Sequence, residues 1–185
     1  MDRRVSDRNI LDDFCTSFCK IVDRHCKYII VSGFMAIASG RVRGTEDIDM
    51  IIQRMDKEKI RSLHIDLTSN NFVCMQSDDA EEIYDYLYDN TSVRYTAKDK
   101  PLPEMEVKFA KDELDNFQIS TRMKIPMTGL DVWFSSINMN IAFKEEYLKS
   151  DKDMEDAKHL RIVYSDLIDE AEIDNIKRMI RRLRL

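Results

Sequence analysis

Apolar residues recur at three- and four-residue intervals at Ile10, Leu11, Phe14, Phe18, Ile21 and Val22, which predicts a helix over residues 7–25 with one buried face. The pattern then shortens. Residues 27–31 are β-branched and aromatic and predict a strand that ends at Ser32-Gly33. A short helix is expected at 34–39 with Gly40 as its stop, then a strand at 46–53 and a helix from the cap Asp56 to about residue 69. Strands are expected at 72–76, 92–96 and 104–110, and helices at 80–88 and 111–120. Asp78 with Glu81 forms an expected capping box for the helix at 80–88. Thr128-Gly129 reads as a hairpin turn between strands at 123–127 and 130–134. Helices follow: one at 136–148, one capped by Ser150 with Asp153, and one capped by Asp169 with Glu172. Strands mixed with helices and then helices alone predict an α/β (α+β) core with a helical tail. The expected division is residues 1–134 as core and 135–185 as a C-terminal helical segment packed on it.

Two strands carry polar residues in an otherwise apolar pattern. A strand sends alternate side chains to one face. Asp47 and Asp49 therefore stand side by side, with Ile48 and Met50 turned into the core. Unpaired charge on a central strand is costly, and two carboxylates so placed can share divalent metal ions. Upstream, Ser32-Gly33 opens a helix, where free backbone N–H groups suit a triphosphate. In the strand at 104–110, Glu106 and Lys108 share the face opposite Met105, Val107 and Phe109.

The stretch from Ser32-Gly33 through Arg43, Thr45, Asp47 and Asp49 resembles the signature of the nucleotidyltransferase superfamily, whose core is shared with DNA polymerase β. Arg-x-Thr-x-Asp-apolar-Asp is similar to the AbiEii-like and minimal nucleotidyltransferase branch. Lys144, Lys149, Lys152, Asp153 and Asp156 resemble that branch's trailing Lys/Asp helix. One position departs: Ser32 stands where the family usually has Gly, and serine takes positive φ less freely.

The resemblance implies a nucleotidyltransferase fold, a mixed sheet flanked by helices. It implies transfer of a nucleoside monophosphate from a nucleoside triphosphate to a hydroxyl, with Mg2+ or Mn2+ as cofactor. Asp47, Asp49 and a third carboxylate would hold two metals. Glu106 is the choice for the third, with Asp131 its rival. Ser32, Gly33, Arg43, Thr45 and Lys144 are the implied nucleotide-binding residues. Arg43 suits phosphate because guanidinium binds it bidentately, and Thr45 also suits a purely turn-shaping role. Implied acceptors are an RNA 3′ end, a side chain on a partner protein or a small molecule, and the branch acts in toxin–antitoxin and defence systems. A catalytically reduced member that binds nucleotide or partner without transfer is the alternative.

Composition narrows the rest. The 185 residues are 43% hydrophobic and 35% charged, which excludes disorder and fits one globular unit. A net charge of −6 argues against general nucleic-acid binding. The basic run at 177–184 reads either as an RNA contact or as the outer face of a helix packed through Ile173, Ile176, Ile180 and Leu183. No apolar run approaches the ~20 residues of a membrane helix, and the N-terminus lacks a signal peptide's apolar core; a cytoplasmic protein is expected. Cys15, Cys19 and Cys26 sit at helical spacing without a Cys-x-x-Cys pair and read as buried apolar side chains. His25, His64 and His159 form no metal or triad pattern.

Overall fold

The computed structural model describes residues 10–42, 44, 45 and 47–185. Helix α1 (Ile10–Val22) leads to strand β1 (Tyr28–Val31), α2 (Gly33–Ala38) and β2 (Asp47–Ile52). Then come α3 (Lys57–Ser69), β3 (Phe72–Cys74), α4 (Ala80–Tyr88), β4 (Val93–Ala97) and β5 (Glu104–Phe109). Helices α5 (Glu113–Ser120), α6 (Ile137–Phe143), α7 (Asp151–Val163) and α8 (Glu170–Arg184) complete the chain.

The five strands form one mixed sheet in the order β1-β2-β5-β4-β3. β2 and β5 run parallel at its centre, and the other pairs are antiparallel. Alternation decides which face each residue serves. Ile48, Met50 and Ile52 of β2 and Met105, Val107 and Phe109 of β5 enter the main core with α1, α3 and α4. There Phe14, Phe18, Phe72 and Tyr95 meet edge to face or tilted, geometry that aromatic rings favour. The opposite face is apolar only at one end, where Ile29, Ile51, Ala110 and Ile119 cluster beneath α5. The remainder of that face is polar.

The C-terminal helices pack on the sheet and on one another. Ile173, Ile176 and Ile180 of α8 are buried in the main core. The cations of α8 are mostly engaged: Lys177 pairs with Glu145, Arg181 lies 4.0 Å from Glu146, and Arg184 pairs with Asp112 and Asp115. The run at 177–184 is thus the polar face of a packed helix. Among the described residues, no helix is long and apolar enough to cross a membrane.

Three local expectations are corrected. The cap of α4 is Asp79, whose side chain accepts from the Glu81 N–H, and not Asp78. The hairpin around Thr128-Gly129 shrinks to a single antiparallel bridge between Met123 and Phe134. Pro126 has no N–H to give a ladder, and Phe134 is shared with Ile30 of β1 in a parallel bridge. The helix expected at 136–148 forms, but its last turn, Lys144–Leu148, is π-helical and ends at left-handed Lys149.

Candidate active site

Register brings the candidate acids together. β1 places Val31 opposite Asp49, and β5 places Glu106 opposite Asp49 and Glu104 opposite Asp47. β4 in turn places Arg94 opposite Glu106. Four acids therefore share the polar sheet face, with Lys108 one alternate position beyond Glu106. Arg94 pairs with Glu106 at 3.2 Å and with Glu104 at 3.5 Å.

A cavity of about 420 Å³ opens on this face. Ser32, Asp49, Glu106 and Lys108 lie on its sheet side, with Lys144 and Tyr147 of the π turn opposite. Widened π turns concentrate at functional sites, and this one supplies much of the cavity's helical wall. Gly33 is buried at the start of α2, and Asp47 is exposed on β2 beside Asp49.

Asp49 is the electrostatic centre. Burial pushes its carboxyl above the usual carboxylate range, and the nearby charges of Glu106 and Asp47 add to that. Lys108 and a hydrogen bond from Ser32 act in the opposite direction. Such a shift marks a place where the fold tolerates a cost, a common property of functional sites.

Ser32 is held at φ 69° and ψ −142°, a region natural to glycine and costly to other residues. The departure from the glycine that the sequence resemblance implies is thus a strained one. Strain keeps the hydroxyl aimed at Asp49. Ser32→Gly is expected to stabilise the protein by about 1 kcal/mol through strain relief, whereas Ser32→Ala keeps the strain, loses the hydrogen bond and destabilises. Urea unfolding of both variants checks the opposite signs.

Thr45 donates to the Asp47 carbonyl at 3.1 Å and so braces the entry to β2. Arg43 lies outside the described residues. Lys144 is almost fully buried, 3.0 Å from Asp156 and 3.5 Å from Asp153. Asp156 also binds Arg41, which reaches Glu155 and the Lys152 carbonyl as well. Asp131, the rival third acid, is exposed and pairs with Lys124; it does not line the cavity.

No protein-family model matches the sequence, and no curated protein matches it. Solved structures do match in shape. An antigenic nucleotidyltransferase-like protein from Paracoccidioides brasiliensis superposes with a TM-score of 0.53 at 18% identity, over 92% of this chain and 87% of that one. The antibiotic-resistance factor ANT(2'')-Ia in solution gives 0.53 at 14% identity, over 92% and 93%. Crystalline ANT(2")-Ia in complex with adenylyl-2"-tobramycin gives 0.52 at 16% identity, over 94% and 98%. The chain has the nucleotidyltransferase fold.

Within that fold the donor set can be tested for a metal. Asp47 and Asp49 offer hard oxygens, which suit Mg2+ or Mn2+, and a cation would offset the burial, and the lesser charges of Glu106 and Asp47, that raise Asp49. Glu106 is adjacent, but Arg94 engages its carboxylate. Among the described residues, no three His, Cys, Asp or Glu side chains converge on one metal-sized point. The aspartate pair has the donor chemistry for a divalent cation; among the described residues, no third acid converges with it.

Reading the sequence alone missed Arg94, Lys108 and Tyr147. Lys108 carried a signal, since it shares the wet face with Glu106. Arg94 and Tyr147 carried none: their relevance comes from strand register and from the π turn.

Proposed function

We propose that the chain is a metal-dependent nucleotidyltransferase that moves a nucleoside monophosphate from a nucleoside triphosphate to a hydroxyl acceptor. The observation that carries this reading is the cross-strand pair Asp49 and Glu106 on the wall of a cavity of about 420 Å³, within a nucleotidyltransferase fold. Such a volume suits one nucleotide-sized ligand.

The acceptor oxygen would form a bond to the α-phosphorus as the bond to the bridging oxygen breaks, and pyrophosphate leaves. Glu106 is the carboxylate placed to take the hydroxyl proton. Asp47 and Asp49 would hold a divalent cation, which when bound neutralises phosphate charge. Ser32 orients Asp49, and Lys108 faces the same cavity as a point charge for phosphate. Positioning and charge stabilisation would supply most of the rate.

A small-molecule acceptor is favoured over RNA or a partner protein. One solved structure of this fold holds an adenylylated small molecule, adenylyl-2"-tobramycin, and the cations of α8 are largely paired with acids of this chain. One observation favours the alternative of binding without transfer: the Arg94–Glu106 ion pair occupies the proton acceptor.

The test is thermal unfolding with ATP, GTP, CTP and UTP, with and without Mg2+. A ligand at about 100 times its dissociation constant adds about 2.7 kcal/mol, or roughly 5–10 °C for a chain of this size. One triphosphate is expected to give a Mg2+-dependent shift that Asp47→Ala/Asp49→Ala abolishes. No shift with any of the four would overturn the reading. A shift without label transfer from α-labelled triphosphate to any offered acceptor would select the binding-only alternative.

A further inference from the structure

The charge on the polar sheet face is unevenly balanced. Asp47, Asp49, Glu104 and Glu106 all occupy it, by the pairing of β2 with β5. Arg94 and Lys108 are the cations among them. Arg94 is directly opposite Glu106 by backbone register, so their ion pair follows from strand pairing and not from a chance side-chain pose. Such directly opposed charges are the basic unit of cross-strand stabilisation. Arg94 bridges both glutamates. Lys108 lies diagonally across from Asp49, lowers the cost of its charge and lines the same cavity. Among the described residues of this sheet face, four carboxylates stand against two cations, an excess of two negative charges that one divalent cation balances. A second cation would need Glu106, and Arg94 holds it.

We propose that this site takes a single divalent cation, on Asp47 and Asp49, and that Arg94 and Lys108 provide the positive charge where a second cation would otherwise stand. This rests on the nucleotidyltransferase reading but departs from the two-metal arrangement that the sequence resemblance implies. Arg94 is a positioning residue: it keeps Glu106 out of the metal's coordination.

The experiment counts bound Mn2+, used alone as the probe, by electron paramagnetic resonance on the full chain. The wild type is expected to bind one ion. Asp49→Asn should weaken that binding by about tenfold or more, and Glu106→Gln should leave it unchanged. Arg94→Gln, which releases Glu106, should bring a second ion. Two ions on the wild type would overturn the proposal. So would Glu106→Gln weakening Mn2+ as much as Asp49→Asn, or Arg94→Gln binding only one ion. No bound Mn2+ also overturns it; whether the nucleotidyltransferase reading falls too is then decided by the separate nucleotide-dependent melting shift.

Discussion

Asp49→Asn is expected to melt above the wild type at pH 7 while losing about a thousandfold in turnover. The two effects have one cause. The native carboxyl sits above the usual carboxylate range, first through burial and then through the charges of Glu106 and Asp47. A raised native value means that the folded chain holds the proton more tightly than the unfolded chain. Wild-type stability therefore falls as pH rises from the ordinary carboxylate range through the raised native value, and stays lower above it. Asparagine has no such step. The advantage of Asp49→Asn should thus be near zero in acid, appear across that window and level off by neutrality. Relief of this kind commonly amounts to about 0.5–2 kcal/mol, and Lys108 and the Ser32 hydroxyl already offset part of the cost. Turnover goes the other way. A metal-held carboxylate contributes several kcal/mol of charge stabilisation, and each 1.4 kcal/mol is about tenfold in rate. Melting curves at several pH values, with initial rates on the acceptor that the nucleotide assay identifies, measure both. An Asn variant that melts below the wild type at pH 7 would make Asp49 a structural residue.

Asp49 also shows what the sequence could and could not reveal. Its face, and that of Glu106, followed from strict alternation: Ile48, Met50, Met105 and Val107 are buried as the pattern demands. The caps Asp56, Ser150 and Asp169 were legible because a side-chain acceptor just ahead of an apolar period has few other uses, and each accepts from a backbone N–H in its helix's first turn. Adjacent Asp78 and Asp79 offered the same chemistry twice, and the cap fell on the second. What failed was tertiary. Arg94 opposite Glu106 is a matter of register between strands that sequence spacing does not fix. The strain at Ser32 depends on where β1 ends against β2. The hairpin at Thr128-Gly129 is reduced to the Met123–Phe134 bridge, and the other edge of Phe134 pairs with Ile30 of β1, far off in sequence.

Lys144 raises the same question in energetic form, and removing its partner should cause the largest loss of stability in the molecule. Lys144 is 1% exposed and Asp156 fully buried, with 3.0 Å between their charged atoms. Breaking a buried pair from one side costs about 3–5 kcal/mol, because the surviving charge has no solvent to return to. That is a large part of the roughly 5–15 kcal/mol that holds a domain folded. Asp156→Ala should be the worse of the two single changes, since it leaves Lys144 only the longer contact to Asp153 at 3.5 Å and also takes a partner from Arg41. Lys144→Met should cost less, because Arg41 still neutralises Asp156. Lys144→Met/Asp156→Leu should recover most of the loss, as apolar replacements of buried pairs often do, with Arg41 keeping Glu155. The double variant then separates structure from binding. Lys144 lines the cavity, yet its ammonium is committed to α7. If the stable double variant keeps the nucleotide-dependent melting shift, Lys144 serves to lock α7 to the π turn, and the phosphate contact implied by the resemblance is wrong. If the fold survives and the shift is lost, the buried pair holds a phosphate ligand in place, and Asp156 is the residue that orients it.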